Sequence, residues 1–358
     1  MTILYGAMVS VMFVCAVWLS NISPQMHFGL KKWLAVFLFI TSPLIFSNNA
    51  LSHDVFNYIF NARMVVKYQL NPHVRVAMDL LYDPWTRFMH NVHTPAPYFY
   101  GWTALSLIPY ILGFGKFLIT YILFRIWSEL GLLLSAVLIW FLMKKQSNQN
   151  VRSFVLMLLN PLLIIELVSN SHNDGWMMWP ALASLYFILA WKMHRKQIVL
   201  RMTGSFSLLL FSISTKYATA VLAPIWLFVV LKNSEFADKL QALTEKLKVL
   251  SFNIFDVSAM LLFLPLLTAR SQQFNPWYLS WSLLFYPLMK NKFLKYSVLI
   301  LSVSSLFRYI PWMWYGAFDY NSQIDMNQKL ITWVPLFSFC LIWLSYTVSK
   351  TLKKAYTS

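Results

Sequence analysis

Charge is what this chain lacks most. Of its 358 residues only 11% are charged, and just 12 are Asp or Glu, where soluble domains carry roughly a quarter charged residues. The polar surface needed to coat a water-soluble core is missing. Hydrophobic residues make up 59% of the chain and aromatics 18%, with a mean hydropathy of +0.57, so its solvent is a bilayer. Cysteine is scarcer still: Cys15 and Cys340 lie alone in separate apolar runs, which excludes a disulfide framework and a cysteine-based metal site. Also missing are an internal repeat, a glycine-rich phosphate loop and any cytoplasmic stretch large enough to bind a nucleotide sugar. These absences direct attention to the outer membrane face.

What is present is a succession of apolar runs. At ~20 residues per crossing of a ~30 Å hydrocarbon core, helices are expected at roughly 2–21, 33–47, 117–143, 152–169, 176–191, 203–215, 217–231, 249–268, 279–289, 296–311 and 330–348, about eleven crossings. The expected class is an all-α polytopic membrane protein. The first run lacks the basic flank and small-residue cleavage site of a signal peptide and is expected to stay as a helix, its N-terminus outside. A net charge of +17 would suggest nucleic acid on a soluble domain. Here, however, the basic residues fall on alternate loops: Lys31 and Lys32; Lys144, Lys145 and Arg152; Lys192 to Arg201; Lys232 to Lys248; Lys290 to Lys295; and Lys350 to Lys354. The positive-inside rule makes those loops cytoplasmic, so the excess charge encodes orientation, and nucleic acid drops out as a partner.

The outer side then holds one long segment, 48–115, and short loops near 170–175, 270–278 and 312–329. Val55, Phe56, Ile59, Phe60 and Met64 recur at helical spacing, which predicts an amphipathic helix over 54–68 lying on the membrane. The apolar piece 98–114 reads as a re-entrant or interfacial helix. Mixed charge over 233–248 predicts a cytoplasmic surface helix.

Polar residues beside spans are expensive and are functional candidates for that reason. Asp54 opens the outer helix in Ser52-His53-Asp54-Val55-Phe56-Asn57-Tyr58; taken alone it reads equally as a helix cap. Asn170-Ser171-His172-Asn173-Asp174-Gly175 concentrates polar groups in one short loop, with Glu166 on the same helical face as Asn170. Lys216, between two short apolar halves, reads as a snorkelling lysine or as a phosphate contact. Arg125 and Glu129, four residues apart, are expected to pair. Arg270, Gln272, Gln273, Asn275, Trp277 and Tyr278 crowd another outer loop. His73, His90 and His93 have no helical metal-ligand spacing, and no metal is assigned.

The order Ser52 to Tyr58, Asn61-Ala62-Arg63, Asn71-Pro72-His73, Tyr98-Phe99-Tyr100-Gly101, Leu159-Asn160-Pro161 through Glu166 to Asp174, Lys216-Tyr217 and Gln273 to Tyr278 resembles the polyprenol-phosphate-mannose-dependent mannosyltransferases of the C-type glycosyltransferase fold. From the Tyr98 region through Lys216 it is also similar to the first mannosyltransferase of the GPI-anchor pathway. The resemblance spans about 33–290. It implies an extra N-terminal helix (1–32), a glycosyltransferase-like module (33–290) with the outer loop 48–115 over the active site, and C-terminal helices (291–358).

By the same resemblance the donor is a sugar β-linked through one phosphate to a polyprenyl lipid, and the acceptor a glycan or glycolipid. Transfer goes with inversion on the extracytoplasmic side of a bacterial plasma membrane. Asp54 would be the base, Lys216 and Arg270 would neutralise the lipid phosphate, and His172, Asn173 and Asp174 would bind sugar hydroxyls or orient the acceptor. His53, Asn57, Arg63, Asn71, Gln273, Trp277 and Tyr278 complete the expected substrate-binding set. The family commonly shows two carboxylates at the loop's start; His53 replaces the first, which argues against a family-like divalent cation site. A polytopic transporter or lipid flippase is the rival reading, and it calls for repeated halves and mid-membrane ionisable residues.

Overall fold

A computed structural model describes residues 1–49, 51–146, 150–189, 195–232, 245–246, 252–267, 274–316 and 322–357. Among them every regular element is helical. Five stretches are long and apolar enough to span a membrane: Thr2–Ile22, Phe117–Lys145, Val151–Ser169, Lys292–Tyr315 and Gln323–Thr351. Val199–Thr215, Tyr217–Leu231 and Ile254–Leu266 are shorter apolar helices. Among the described residues, then, the helices long enough to span by themselves do not confirm the eleven crossings expected. The runs 203–215 and 217–231 are divided where Lys216 adopts an extended backbone, φ −157° and ψ 127°. Only Leu279–Leu283 of the run at 279–289 is α-helical. The surface helix expected over 233–248 falls almost wholly outside the described residues.

Helix α1 (Thr2–Ile22) and α2 (Leu30–Ile45) precede the outer segment, which carries α3 (Asp54–Tyr68) and α4 (Tyr100–Leu112). The long α5 (Phe117–Lys145) ends on two lysines, cations that complement the negative helix C-terminus. Next come α6 (Val151–Leu158), the short α7 (Pro161–Leu163), a π-helical turn at Ile164–Ser169, α8 (Asp174–Leu189) and α9 (Arg195–Thr215). Val151–Ser169 is 89% buried and forms the centre of the bundle, whereas Gln323–Thr351 is 6% buried and faces outward along almost its whole length. The Tyr5 hydroxyl ties α1 to the C-terminal helices by donating to the Leu306 carbonyl at 3.1 Å.

Two close backbone approaches place the outer loops. A Cβ on Gly175 would lie 2.7 Å from the Leu132 nitrogen, and one on Gly131 2.8 Å from that of Trp176, so α5 and the start of α8 touch without side chains between them. A Cβ on Gly101 would lie 2.7 Å from the Ser214 carbonyl carbon, which brings the first turn of α4 onto the end of α9. Glycine is required at such contacts because any side chain would separate the helices.

Helix α3 spans the predicted residues, but protein covers it on more than the one apolar face. Val55 to Phe60 and Ala62 to Met64 are all buried: α4 and α5 pack on one side, and the loop 72–98 closes over the other. Arg63 fastens that loop, donating from Nε to Asp83 at 2.7 Å and from Nη1 to the Tyr110 hydroxyl at 3.3 Å while lying 3.9 Å over the Trp85 ring. Burial works against the Asp83 charge, yet hydrogen bonds from Arg63, Tyr68 and the Trp85 amide hold its carboxyl at about 2.

Arg125 and Glu129 do not pair. The Arg125 guanidinium caps the end of α2, donating to Leu44 O, Asn49 Oδ1 and, at 3.0 Å, Ser47 Oγ, while Glu129 accepts from Thr41 Oγ1. Helix C-termini present carbonyls without intrahelical partners, and here the Leu44 carbonyl with the Ser47 and Asn49 side chains engages the guanidinium in place of the carboxylate one turn away.

Candidate active site

The N-terminus of α3, the loop 170–174, the break after α9 and the turn at Pro276–Tyr278 converge at one end of the bundle. Asp54 does not cap α3. His53 occupies the cap position without a side-chain cap hydrogen bond, and the Asp54 amide donates to Ser52 Oγ at 3.3 Å. Instead Asp54 Oδ2 accepts from the Tyr58 hydroxyl at 3.4 Å and the Tyr98 hydroxyl at 3.3 Å, and it lies 3.5 Å from His172 Nδ1. Its side chain is 25% exposed, enough to meet a substrate. Burial opposes ionisation, but His172 and Lys216 outweigh it and hold the carboxyl below the usual carboxylate range.

The loop that delivers His172 is fixed from three sides. Ser128 Oγ donates to Ser171 O at 2.9 Å, Asn49 Nδ2 to Asn170 O at 3.0 Å, and Trp176 Nε1 to Trp127 O at 2.6 Å. His172 is fully buried, stacks on Trp277 with centroids 4.2 Å apart, and lies 3.4 Å from Glu166 Oε2 through its second ring nitrogen. Burial disfavours an imidazolium, but flanking carboxylates at Asp54 and Glu166 push its pKa up to about 9. At neutral pH the ring is charged.

Lys216 turns inward and does not snorkel. Its ammonium donates to Asp174 Oδ1 at 2.8 Å and lies 5.0 to 5.6 Å from the ring centres of Tyr98, Trp281 and Tyr278. Cation–π contacts of this kind favour a desolvated ammonium. Trp281 Nε1 donates to the same Asp174 oxygen at 2.6 Å. Asp174 Oδ2, both polar atoms of Asn173 and Asn57 Oδ1 are buried without a hydrogen-bond partner. Groups of this kind are costly unless something polar meets them, and they surround the Asp54–Lys216 region.

Tyr98 lines two cavities. One of about 470 Å³ is bounded also by Asp54, Asn57, Asn61, Asn91, Thr94 and neighbours. The other, a cleft of about 110 Å³, is bounded also by Lys216, Tyr217, Tyr278, Trp281 and residues 97–99. No group of three or more His, Cys, Asp or Glu among the described residues is arranged to hold a metal.

Of the expected site residues, Asp54, Asn57, His172, Asn173, Asp174, Lys216, Trp277 and Tyr278 come together. His53 flanks them, stacked on His90 at 3.8 Å and lining a separate cavity. Arg63 is committed to Asp83, and Asn71 is exposed, bonded to Tyr100 and the His73 amide. Arg270 and Gln273 lie outside the described residues. Trp281 was not anticipated, although its i+4 relation to Trp277 marks a shared helical face. Tyr98 was read only as part of a motif.

A polytopic helical membrane protein with a carboxylate and an ammonium at one end of its bundle is the class that fold and site define. The chain belongs to the MptA_B family, whose model, described as alpha-(1->6)-mannopyranosyltransferase, N-terminal domain, matches residues 1–232. It is thus a mannosyltransferase-family glycosyltransferase. The matched stretch contains Asp54, His172, Asp174 and Lys216, while Trp277, Tyr278 and Trp281 lie beyond it. No curated protein and no solved structure matches the chain.

Proposed function

We propose that the protein transfers mannose from a polyprenyl-phosphate-linked donor to a glycan or glycolipid acceptor, with inversion, on the extracytoplasmic face of a bacterial plasma membrane. One observation carries the reading: Asp54 and Lys216 both contact Tyr98, and they line two cavities that share that tyrosine. In a single displacement the acceptor oxygen attacks the anomeric carbon as the carbon–oxygen bond to the phosphate breaks. Asp54 takes the acceptor hydroxyl proton, which contributes typically ~10²–10⁴-fold, and Lys216 meets the charge left on the lipid phosphate. Asp174 and Trp281 aim Lys216, and Asn173 and Asn57 offer hydrogen bonds to sugar hydroxyls.

The alternation of basic loops supports the sidedness. The shorter helices complete about eleven crossings by borrowing flanking residues, at a modest mismatch penalty. The donor is already activated, so purified protein in liposomes should transfer mannose from a polyprenyl mannosyl phosphate with no nucleotide sugar present. Robust transfer from a nucleotide-activated mannose without a lipid carrier would overturn the proposal.

A further inference from the structure

Glu166 touches neither cavity, yet it is built tightly into the site. It is fully buried, accepts from the Tyr309 hydroxyl at 2.9 Å and from Asn170 Nδ2 at 3.0 Å, and lies 3.4 Å from His172 Nε2. The opposite nitrogen of that ring lies 3.5 Å from Asp54 Oδ2. The backbone is shaped for this contact. Glu166 falls in a π-helical turn, the Asn170 amide reaches back to Ile165 O at 2.7 Å, and Ser171 takes a left-handed φ of 59°. π-turns within helices are frequent at functional sites, and a left-handed serine is strain retained for a reason.

We infer that Glu166 is a positioning residue for the base Asp54, acting through His172, the two carboxylates clamping one imidazole ring between them. The inference rests on Asp54 being the base. A buried carboxylate with nothing cationic beside it would take up a proton and could not accept one from the acceptor. Lys216 is already bound to Asp174, which leaves the His172 ring, held between Asp54 and Glu166, as the cation in contact with Asp54. Glu166 keeps that ring charged, and Trp277, stacked on its face, stops it from rotating. The other titratable groups around the clamp are Tyr58 and Tyr98 on Asp54, Tyr309 on Glu166 with Tyr5 packed behind it, and the Asp174–Lys216 pair. Burial raises Tyr58 and Tyr98 well above the usual tyrosine range, so they stay neutral where His172 titrates.

The test is Glu166→Gln, which preserves shape and a Tyr309 acceptor but removes the charge. Wild-type kcat/KM should fall on the basic side near pH 9, where His172 loses its proton. In Glu166→Gln that limb should move down by about one unit or more, the size of one lost charge partner, so that kcat at pH 8 falls about twofold for a one-unit shift and about tenfold for a two-unit shift, with the donor KM unchanged. His172→Gln should abolish the limb.

A second readout needs no turnover. The ring is more basic folded than unfolded, so the stability it contributes is complete below about pH 6.5 and is lost as pH rises through the folded value. Wild-type Tm should therefore drop between pH 6.5 and pH 9 more than that of Glu166→Gln. A rate loss uniform across pH with an unmoved limb, or the same Tm profile in both proteins, would overturn the inference. Failure of wild type to use the lipid donor would instead strike the proposed function, and the Tm comparison would still decide the role of Glu166. Should Glu166→Gln not fold, the His172→Gln profile and the wild-type Tm slope decide it.

Discussion

Asp54→Asn is expected to lower turnover at least roughly a hundredfold, the size typical of removing a general base, while membrane expression stays normal. The isosteric change separates this role from a capping role, because Asn ranks with Asp at a helix N-cap. Asp54 in fact makes no cap hydrogen bond. Asn at 54 keeps an oxygen for the Tyr58 and Tyr98 hydroxyls but loses the ability to take a proton and the charge that faces His172. The folded carboxyl is more acidic than usual, so its contribution to stability is present above about pH 4 and is lost as pH falls below that. Asp54→Asn should therefore flatten the acid side of the stability profile. Turnover close to wild type would remove Asp54 as the base and leave Asp174 to replace it.

The second large effect is expected at Lys216. Truncating one partner of a buried charge pair typically removes 2–5 kcal/mol, so Lys216→Gln should reduce donor kcat/KM by roughly 30-fold or more. It should also destabilise the fold by about 3–5 kcal/mol, because Asp174 would remain buried without its cation. The two consequences can be pulled apart. Lys216→Met combined with Asp174→Asn removes both charges and should recover most of the Tm lost in the single variant, while donor binding stays weak. Recovery of donor binding along with stability would show that Lys216 acts on the fold alone and not on the lipid phosphate.

Much of this site is legible along the chain because it is built from local exceptions to an apolar background. Asp54, the cluster 170–174 and Lys216 each interrupt hydrophobic periodicity, and a bilayer makes such interruptions expensive. Helix α3 was readable residue by residue from the spacing of Val55, Phe56, Ile59, Phe60 and Met64. Its surroundings were not, since periodicity marks a face without saying what covers the other one. The cover proved to be the loop that Asp83 pins to Arg63, a pairing across twenty positions that spacing does not encode. The same limit explains Arg125 and Glu129: the helical geometry permits their contact, but the carbonyls at the end of α2 and Thr41 compete for them. Trp281 was hidden because an aromatic near a membrane boundary is ordinary, and its role depends on Asp174, over a hundred positions away.

The most direct test of inverting, lipid-dependent transfer at Asp54 is the configuration of the product. Purified protein given a synthetic polyprenyl β-mannosyl phosphate and a simple mannoside acceptor should form a new linkage that NMR reads as α, in one displacement with no covalent mannosyl-enzyme. A β-linked product, or mannose trapped on the protein before acceptor is added, would contradict it.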